Sequence, residues 1–332
     1  MFHDALVPFA ERRIISMKIV FMGTPDFAAA ALQAMIEAGH QIVAVVTQPD
    51  KPRGRGKEMQ MPPVKTCALA NGIPVFQPVK VKETEAVETL RGFGADIFVV
   101  AAFGQILSEE ILKMPRYGCI NIHASLLPKY RGAAPIQRAI IDGEKKTGVT
   151  IMQMDKGVDT GDMLLKTEVE IDAHETGDSL HDKLAAAGAK LIVEALAGVE
   201  AGTLTPVKQN DAESCYAKML HKSMGRIDWN QGAHELDCLI RGLISWPGAY
   251  TSYHGKTLKI WEEETADGKK AEHAITDVKP GTVTGTEKDA FYVQTGNGVL
   301  KILSVQLEGK KRMAVKDFLL GCQIRAGEVL GE

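Results

Sequence analysis

The sequence predicts an α/β protein in which a Rossmann-like, mostly parallel sheet is followed by a smaller, mainly β, OB-like barrel domain. Three observations support this prediction. The chain has 332 residues, which is enough for two ordinary domains. Short apolar segments alternate with helical segments over roughly the first 200 residues, as in open sheets covered by helices on both faces. After them come short strand-like segments separated by Gly, Asp and Lys, which are typical of small barrels and sandwiches.

The predicted sheet begins with a strand over 18–22, a turn at 23–26 and an alanine-rich helix that ends at Gly39. Apolar runs predict further strands at 41–47, 75–76, 96–101, 119–123 and 148–154. The segments between them predict helices around 62–71, 83–91, 108–114 and 133–142. A long amphipathic helix over 176–200 is expected to close this first domain.

Four segments divide the chain. Residues 1–16 are expected to be a disordered extension, since they lack the basic start and long apolar stretch of a signal peptide. The first domain is predicted over 17–203, a polar linker over 204–216 and the second domain over 217–332. In the second domain a helix over 231–243 precedes predicted strands at 249–253, 258–261, 281–284, 291–294 and 300–306.

Composition restricts the possible classes of protein. The net charge of -3 gives no general attraction to nucleic acid, so a polyanionic partner would require a local basic patch. The five cysteines are odd in number and scattered, which fits neither a disulfide framework nor zinc-ligand spacing. No apolar run approaches the roughly 20 residues of a membrane-spanning helix. We therefore expect a cytoplasmic protein, without membrane contact, that works as a monomer.

A polar pair lies at the end of the predicted strand over 119–123. Asn121 and His123 are two residues apart, so strand alternation places both side chains on the same face. A lone histidine beside a strand is usually structural. An amide next to an imidazole can instead stabilise an oxyanion and exchange a proton, which is what acyl transfer requires. Because ligands bind at the carboxyl ends of parallel strands, this pair is a predicted catalytic site.

The acidic segment 154–162 offers a carboxylate to this site. Asp155, Asp159 and Asp162 alternate with glycines, as in a solvated turn or a loop that binds a hard cation. The distal glutamate of a helix–loop–helix calcium site is missing, which argues against metal. A carboxylate beside His123 would fix its tautomer and raise its basicity. We favour Asp159 for this part, although spacing alone does not separate it from the other two aspartates.

The turn Gly23-Thr24-Pro25-Asp26 raises the alternative of a nucleotide site at a helix N-terminus. It lacks the G-x-G-x-x-G pattern, and a proline stands where close approach of a pyrophosphate would be needed. We therefore expect Asp26 to cap the helix, and we exclude a dinucleotide-dependent oxidoreductase.

A cationic loop over 48–57 follows the predicted strand at 41–47. Glycines and prolines separate its four cations, and the loop is long compared with ordinary connections. Such a charge run is usually a solvated surface. Beside the predicted catalytic pair, however, mobile cations suit the phosphates of an RNA backbone. The predicted RNA-binding residues are Lys51, Arg53, Arg55 and Lys57.

From Met17 onward the sequence resembles the methionyl-tRNA formyltransferase family, in motif order and in domain layout. The segments that carry the resemblance are FMGTPDFA at 21–28, TQPDKPRGRGK at 47–57, NIHASLLPKYRGAAPIQRAI at 121–140, GVTIMQMDKGVDTGDML at 148–164, RIDW at 226–229 and SWPGAYT at 245–251. The Asn-x-His and Asp-x-Gly motifs are shared by folate-dependent formyltransferases and hydrolases generally. The cationic loop and the C-terminal β domain are similar to those of the tRNA-directed enzymes.

The resemblance implies a catalytic trio of Asn121, His123 and Asp159, with no metal. It implies 10-formyltetrahydrofolate as formyl donor and methionylated initiator tRNA as acceptor, giving N-formylmethionyl-tRNA for translation initiation. The cationic loop would approach the acceptor stem, and the C-terminal domain would bind the tRNA from the other side. The residues implied to border the folate site are Ser125, Leu126, Leu127 and Pro128.

Three alternatives remain at this point. The same chemistry could act on a small amine such as an amino sugar, although the cationic loop argues against it. A hydrolase could pass the formyl group to water, but no accessory ligand-binding domain or second catalytic module is evident. A non-catalytic RNA-binding protein is the third, and the intact catalytic trio argues against it.

Overall fold

The structure, a computed structural model, describes residues 17–53, 58–266 and 278–332. The predicted extension over 1–16 lies outside these residues. The strands of the first half are β1 (Lys18–Gly23), β2 (Gln41–Val46), β3 (Lys51–Arg53), β4 (Glu58–Gln60), β5 (Val75–Phe76), β6 (Ile97–Ala101), β7 (Cys119–His123), β8 (Arg131–Gly132), β9 (Lys146–Gln153) and β10 (Met163–Glu170). The helices there are α1 (Asp26–Glu37), α2 (Pro63–Ala70), α3 (Thr84–Gly92), α4 (Glu109–Leu112), α5 (Pro135–Ile141) and α6 (Gly177–Ala201).

A seven-stranded sheet in the order β10-β9-β7-β6-β1-β2-β5 forms the centre of the first domain. The five strands from β7 to β5 are parallel, whereas β9 and β10 pair antiparallel to their neighbours, so the mostly parallel sheet is confirmed. The chain leaves β1 toward β2 on one side and later places β6 on the other. This reversal of strand order between β1 and β6 is where such sheets bind ligands.

Alternating side chains of β1 show why the sheet is covered on both faces. Ile19 and Phe21 pack with α1 and α6 in one buried cluster, and Val20 and Met22 pack with α3 and α4 in another. Both faces of this central strand are therefore apolar, as expected for a parallel sheet between two helix layers.

Two local expectations differ from the structure. Asp26 is the first residue of α1, and Pro25 takes the N-cap position without a side-chain cap, so the expected Asp26 cap is wrong. The Asp26 carboxylate, in the first turn, still interacts favourably with the helix N-terminus. Edge strand β10 was not predicted, because its charged residues alternate with only partly buried ones.

The second domain is mainly antiparallel β, as the sequence predicted. It contains α7 (Ala233–Gly242), β12 (Ala249–Tyr253), β13 (Lys256–Thr265), β14 (Val283–Thr286), β15 (Phe291–Gln294), β16 (Val299–Leu307), β17 (Met313–Ala314) and α8 (Val315–Gly321). The short strand β11 (Tyr216–Ala217) precedes these elements and pairs in parallel with β8 of the first domain. Its sheet has the order β12-β13-β16-β15-β14, with β17 paired to β16. Between the domains, α7 packs on α5, and Arg241 donates to the backbone oxygen of Glu175 over 2.8 Å. No helix in the described ranges is long and apolar enough to cross a membrane.

Candidate active site

A cavity of about 550 Å³ opens outside the carboxyl ends of β1, β6 and β7, beside the reversal of strand order. Its wall contains the start of α1, the segment after β6, the end of β7 and one turn of α6. Polar groups converge on it from five different segments, and its remaining lining is largely apolar. The polar lining residues are Gln105, Asn121, His123, Gln137, Asp159 and His181.

Asn121 and His123 line this cavity together, as strand alternation predicted. The register of β7 places Asn121 between Val100 of β6 and Met152 of β9. Within the described part of the chain, the Asn121 side-chain amide makes no hydrogen bond, and it is half-buried. The amide is therefore available to donate to a ligand.

His123 is held by the backbone of the loop that follows it. The side chain is only 6% exposed, and its Nε2 lies 2.9 Å from the carbonyl oxygen of Tyr130. A carbonyl oxygen can only accept, so Nε2 must carry the hydrogen. In the neutral ring Nδ1 then carries no hydrogen and presents a lone pair. This nitrogen lies 3.7 Å from Oδ2 of Asp159.

Asp159 is the aspartate that the fold brings to His123. Its Oδ2 accepts a hydrogen bond of 2.8 Å from the backbone N–H of Gly132, and its own backbone is left-handed, with φ of 54°. Asp155 is used within its loop, where its Oδ1 accepts from Gly157 N and Thr160 Oγ1. Tertiary structure thus separates these two aspartates, which spacing had not done.

His181 is a cavity residue that the sequence analysis did not identify. It lies on α6, where it makes an edge contact with Phe27 at a ring-centroid distance of 6.0 Å. Its position within an amphipathic helix gave no signal, because contact with the cavity depends on how α6 packs against α1.

The predicted folate segment 125–128 begins two residues after the end of β7 and is absent from the cavity lining. Ser125 is fully buried, and its Oγ donates to the backbone oxygen of Lys129 over 2.6 Å. Leu127 is buried with Met152 and Met163 on the β9–β10 side. The segment thus supports the loop that holds His123, and its contact with folate stays a prediction.

The cationic loop begins as a hairpin, since β3 and β4 pair antiparallel. Its base is fixed by Asp50, which forms an ion pair with Lys65 at 2.7 Å and accepts from Gln77. Both contacts lower the pKa of the Asp50 carboxyl, and the hydrogen bond from Gln77 has the larger effect. Lys51 is exposed, whereas Arg55, Lys57 and the side chain of Arg53 lie outside the described residues. Gln48 donates to Phe103 O, so the loop starts beside the cavity wall.

A cluster with metal-ligand chemistry occurs away from this cavity, on α7. Among the described residues, one group of potential metal ligands has its ligand atoms within 4.8 Å of one another: His234, Asp237 and Cys238. Arg241 already occupies it, donating to Asp237 Oδ2 over 2.7 Å and to Cys238 Sγ over 3.4 Å. The Arg241 guanidinium neutralises the negative charge of Asp237, so an ion pair explains this cluster without a metal ion.

Comparisons with known proteins agree with this architecture. Residues 17–196 match the family model for formyl transferase, and residues 219–323 match that for the formyl transferase C-terminal domain. The methionyl-tRNA formyltransferase of Lachnospira eligens is 57% identical over 316 residues, which are 95% of this chain and 100% of that protein.

Two solved structures show the same fold at low sequence identity. WlaRD, a sugar 3N-formyl transferase crystallised in the presence of dTDP and 5-N-formyl-THF, is 20% identical with a TM-score of 0.64, covering 89% of this chain and 99% of its own. A variant of HypX from Aquifex aeolicus is 18% identical with a TM-score of 0.62 over 92% of this chain. The chain spans 49% of HypX, about half its length.

Proposed function

The chain belongs to the methionyl-tRNA formyltransferase family, and on this premise we propose how its cavity transfers a formyl group to the amino group of methionyl-tRNA. The observation that carries the proposal is the pairing, in one cavity, of the Asn121 amide with the Nδ1 lone pair of His123. One group donates to an oxyanion, and the other accepts a proton.

The reaction begins with attack of the neutral methionyl amine on the formyl carbon. A carbon–nitrogen bond forms, and the formyl oxygen takes on negative charge. Asn121 donates to that oxygen from the end of β7. Collapse of the tetrahedral species breaks the bond between the formyl carbon and the donor nitrogen, which leaves as an amine.

His123 moves the proton that this exchange of nitrogens requires. Its Nδ1 accepts the proton from the attacking amine and returns it to the departing nitrogen, while Nε2 stays bound to Tyr130 O. Asp159, 3.7 Å away, stabilises the imidazolium that exists between these two steps. Gly132 N fixes the carboxylate in that position. The trio thus consists of Asn121, His123 and Asp159, with no metal in the reaction.

The formyl donor is derived from folate, and we assign it as 10-formyltetrahydrofolate. Support comes from WlaRD, which was crystallised with a formylated tetrahydrofolate, and from the apolar wall of the cavity, which suits a flat aromatic ring system. In this proposal Ser125, Leu126, Leu127 and Pro128 border the folate site by shaping the loop after β7.

The acceptor is methionylated initiator tRNA. Strands β3 and β4 follow Gln48, which donates to Phe103 O in the cavity wall, and we assign the cations Lys51, Arg53, Arg55 and Lys57 to the RNA backbone. The catalytic domain would extend over 17–203 and a tRNA-binding domain over 217–332, with the linker at 204–216 between them. We further propose that the protein acts as a monomer in the cytoplasm, and its five free cysteines favour that compartment.

A competition between acceptors tests this function. The full-length protein is given 10-formyltetrahydrofolate together with methionylated initiator tRNA, methionylated elongator tRNA, free methionine or an amino sugar nucleotide. We expect efficient formylation of the initiator tRNA alone. Preferential formylation of the amino sugar, or release of formate without transfer, would replace the tRNA assignment with one of the alternative functions.

A further inference from the structure

We propose that Gln209, in the segment that links the two domains, is a positioning residue for the formyl transfer; this inference rests on the proposed function. Its side chain joins the two loops that hold His123 and Asp159. Its amide donates from Nε2 to the backbone oxygens of Asp159 and Gly161, over 2.8 and 2.7 Å. Its Oε1 accepts from Nε of Arg131 over 2.9 Å. Both N–H groups and the oxygen of the amide are therefore engaged.

The first loop that Gln209 contacts runs from Tyr130 to Gly132. Tyr130 O holds Nε2 of His123, and Gly132 N holds Oδ2 of Asp159. Arg131 lies between them, is 8% exposed, and is bound to the linker through both its side chain and its backbone N–H. A displacement of Arg131 would therefore move the contacts of the histidine and of the aspartate together.

The second loop contains Asp159 itself, which has a left-handed backbone. This conformation is unfavourable for a residue that carries a side chain, so other contacts must hold it. Gly161 supplies one constraint, because a Cβ there would lie 1.8 Å from Gln153 O. Gln209 supplies the second by binding the backbone oxygens on both sides of Thr160.

The linker is itself anchored around Gln209. Val207 and Met163 exchange backbone hydrogen bonds of 2.8 and 2.9 Å, and Asp211 forms an ion pair with Arg131 at 2.8 Å. Further along, β11 pairs in parallel with β8. Gln209 is thus fixed on both sides, so its amide can hold the catalytic loops with little freedom.

A glutamine is specifically suited to this position. The two backbone carbonyl oxygens require N–H donors, and the Arg131 guanidinium requires an acceptor. A single side-chain amide provides both, with its NH2 group and its oxygen. In Gln209→Glu the carboxylate would keep the Arg131 contact but face two carbonyl oxygens without a hydrogen to donate. The loop of Asp159 should then relax away from His123.

The experiment compares Gln209→Glu with Asn210→Asp, which makes the same amide-to-acid change at the next, exposed linker residue. The rate constant of a single turnover is measured with excess enzyme, because a fraction of inactive enzyme does not lower it. We expect Gln209→Glu to lower this rate constant by about tenfold or more, the scale of small misplacements of catalytic groups. Apparent affinities for folate and tRNA should change little, and Asn210→Asp should match the wild type.

Gln209→Met provides a second variant that removes the hydrogen bonds without adding charge, and it decides the matter if Gln209→Glu does not fold. We expect the same loss of rate. An unchanged rate constant, a loss confined to substrate affinity, or an equal loss in Asn210→Asp would overturn the positioning role. Failure of the wild-type protein to formylate any amine would instead overturn the proposed function, so the two results are distinguishable.

Discussion

Nε2 of His123 donates to the backbone oxygen of Tyr130, so the ring is oriented by the loop after β7 and its lone pair at Nδ1 faces Asp159. The carboxylate is 3.7 Å from that nitrogen, and its own hydrogen bond comes from Gly132. The Tyr130 carbonyl therefore fixes the tautomer of His123, whereas Asp159 stabilises the ring when it carries a positive charge. The division of roles is a consequence of the loop conformation, and it leads to separate predictions for each residue.

Removal of either polar group of the pair is expected to abolish most of the activity. Asn121→Ala removes the oxyanion donor and His123→Ala removes the proton acceptor, so each should lower turnover by roughly a hundredfold or more. Single-turnover kinetics with 10-formyltetrahydrofolate and methionylated initiator tRNA measure this. Asn71→Ala, on an exposed side chain that donates to Cys67 O, is the control. Rates near the wild type in both active-site variants would remove the assignment.

Replacement of Asp159 by asparagine tests the charge alone. The side-chain oxygen of Asp159→Asn can still accept from Gly132 N, but the imidazolium loses its counter-charge. We expect turnover to fall by about tenfold or more, as for other groups that stabilise a charged intermediate. Asp155 lies in the same loop, but its carboxylate accepts hydrogen bonds from Gly157 and Thr160. The Asp155→Asn variant should therefore retain most of the wild-type activity. Equal losses in both variants would point to loop folding instead of charge.

The cationic loop is expected to act through salt-dependent binding. Combined replacement of Arg53 and Arg55 by alanine should weaken use of tRNA and lower the dependence of its KM on salt concentration, because fewer phosphate contacts release fewer counterions. Steady-state kinetics over a salt series measure both quantities. Lys113→Ala, which breaks only an exposed ion pair with Glu109, is the control. Identical salt dependence in the wild type and the double variant contradicts the role.

The cysteines should differ strongly in reactivity. Burial raises the pKa of the Cys119 thiol to about 12, and this side chain is fully buried at the start of β7, whereas Cys215 is exposed. The thiolate is the reactive form, so Cys119 should resist alkylation of the native protein at pH 8 while Cys215 reacts. Mass spectrometry after a short treatment with iodoacetamide measures the order. Cys215→Ser identifies the fast site, and rapid labelling of Cys119 would refute its native burial.

Glu263 makes the stability of the second domain depend on pH. Burial, with the nearby Asp237 carboxylate, raises the pKa of Glu263 to about 8, so the folded state binds an extra proton between about pH 4.5 and 8. Stability contributed by this proton is present at low pH and is lost as pH rises through 8. Glu263→Gln should therefore raise Tm more at pH 8.5 than at pH 5.5. Glu264→Gln, on the exposed neighbour, is the control, and a pH-independent gain would contradict the prediction.

Much of the candidate site could be predicted from the sequence, because strand alternation is a local property. Asn121 and His123 are two residues apart, so their shared face follows from the backbone of β7 alone. The strand itself was evident from its apolar run between polar segments. Family resemblance selected Asp159, and the geometry around His123 agrees with that choice.

Contacts between distant segments could not be predicted from local patterns. His181 reaches the cavity through the packing of α6 on α1, and Gln209 reaches Asp159 from a linker that composition marks only as polar. Likewise, the antiparallel direction of β9 depends on how the chain returns after α5, which an apolar run does not encode.

The sequence alone therefore determined the α/β architecture, the mainly β second domain and the polar pair at the end of β7, since each depends on periodicity within a few residues. Only the tertiary structure decided which nitrogen of His123 is free, which aspartate faces it and which linker residue holds both loops. Those relationships depend on hydrogen bonds of about 3 Å between segments far apart in the chain, and such distances are set by packing rather than by spacing.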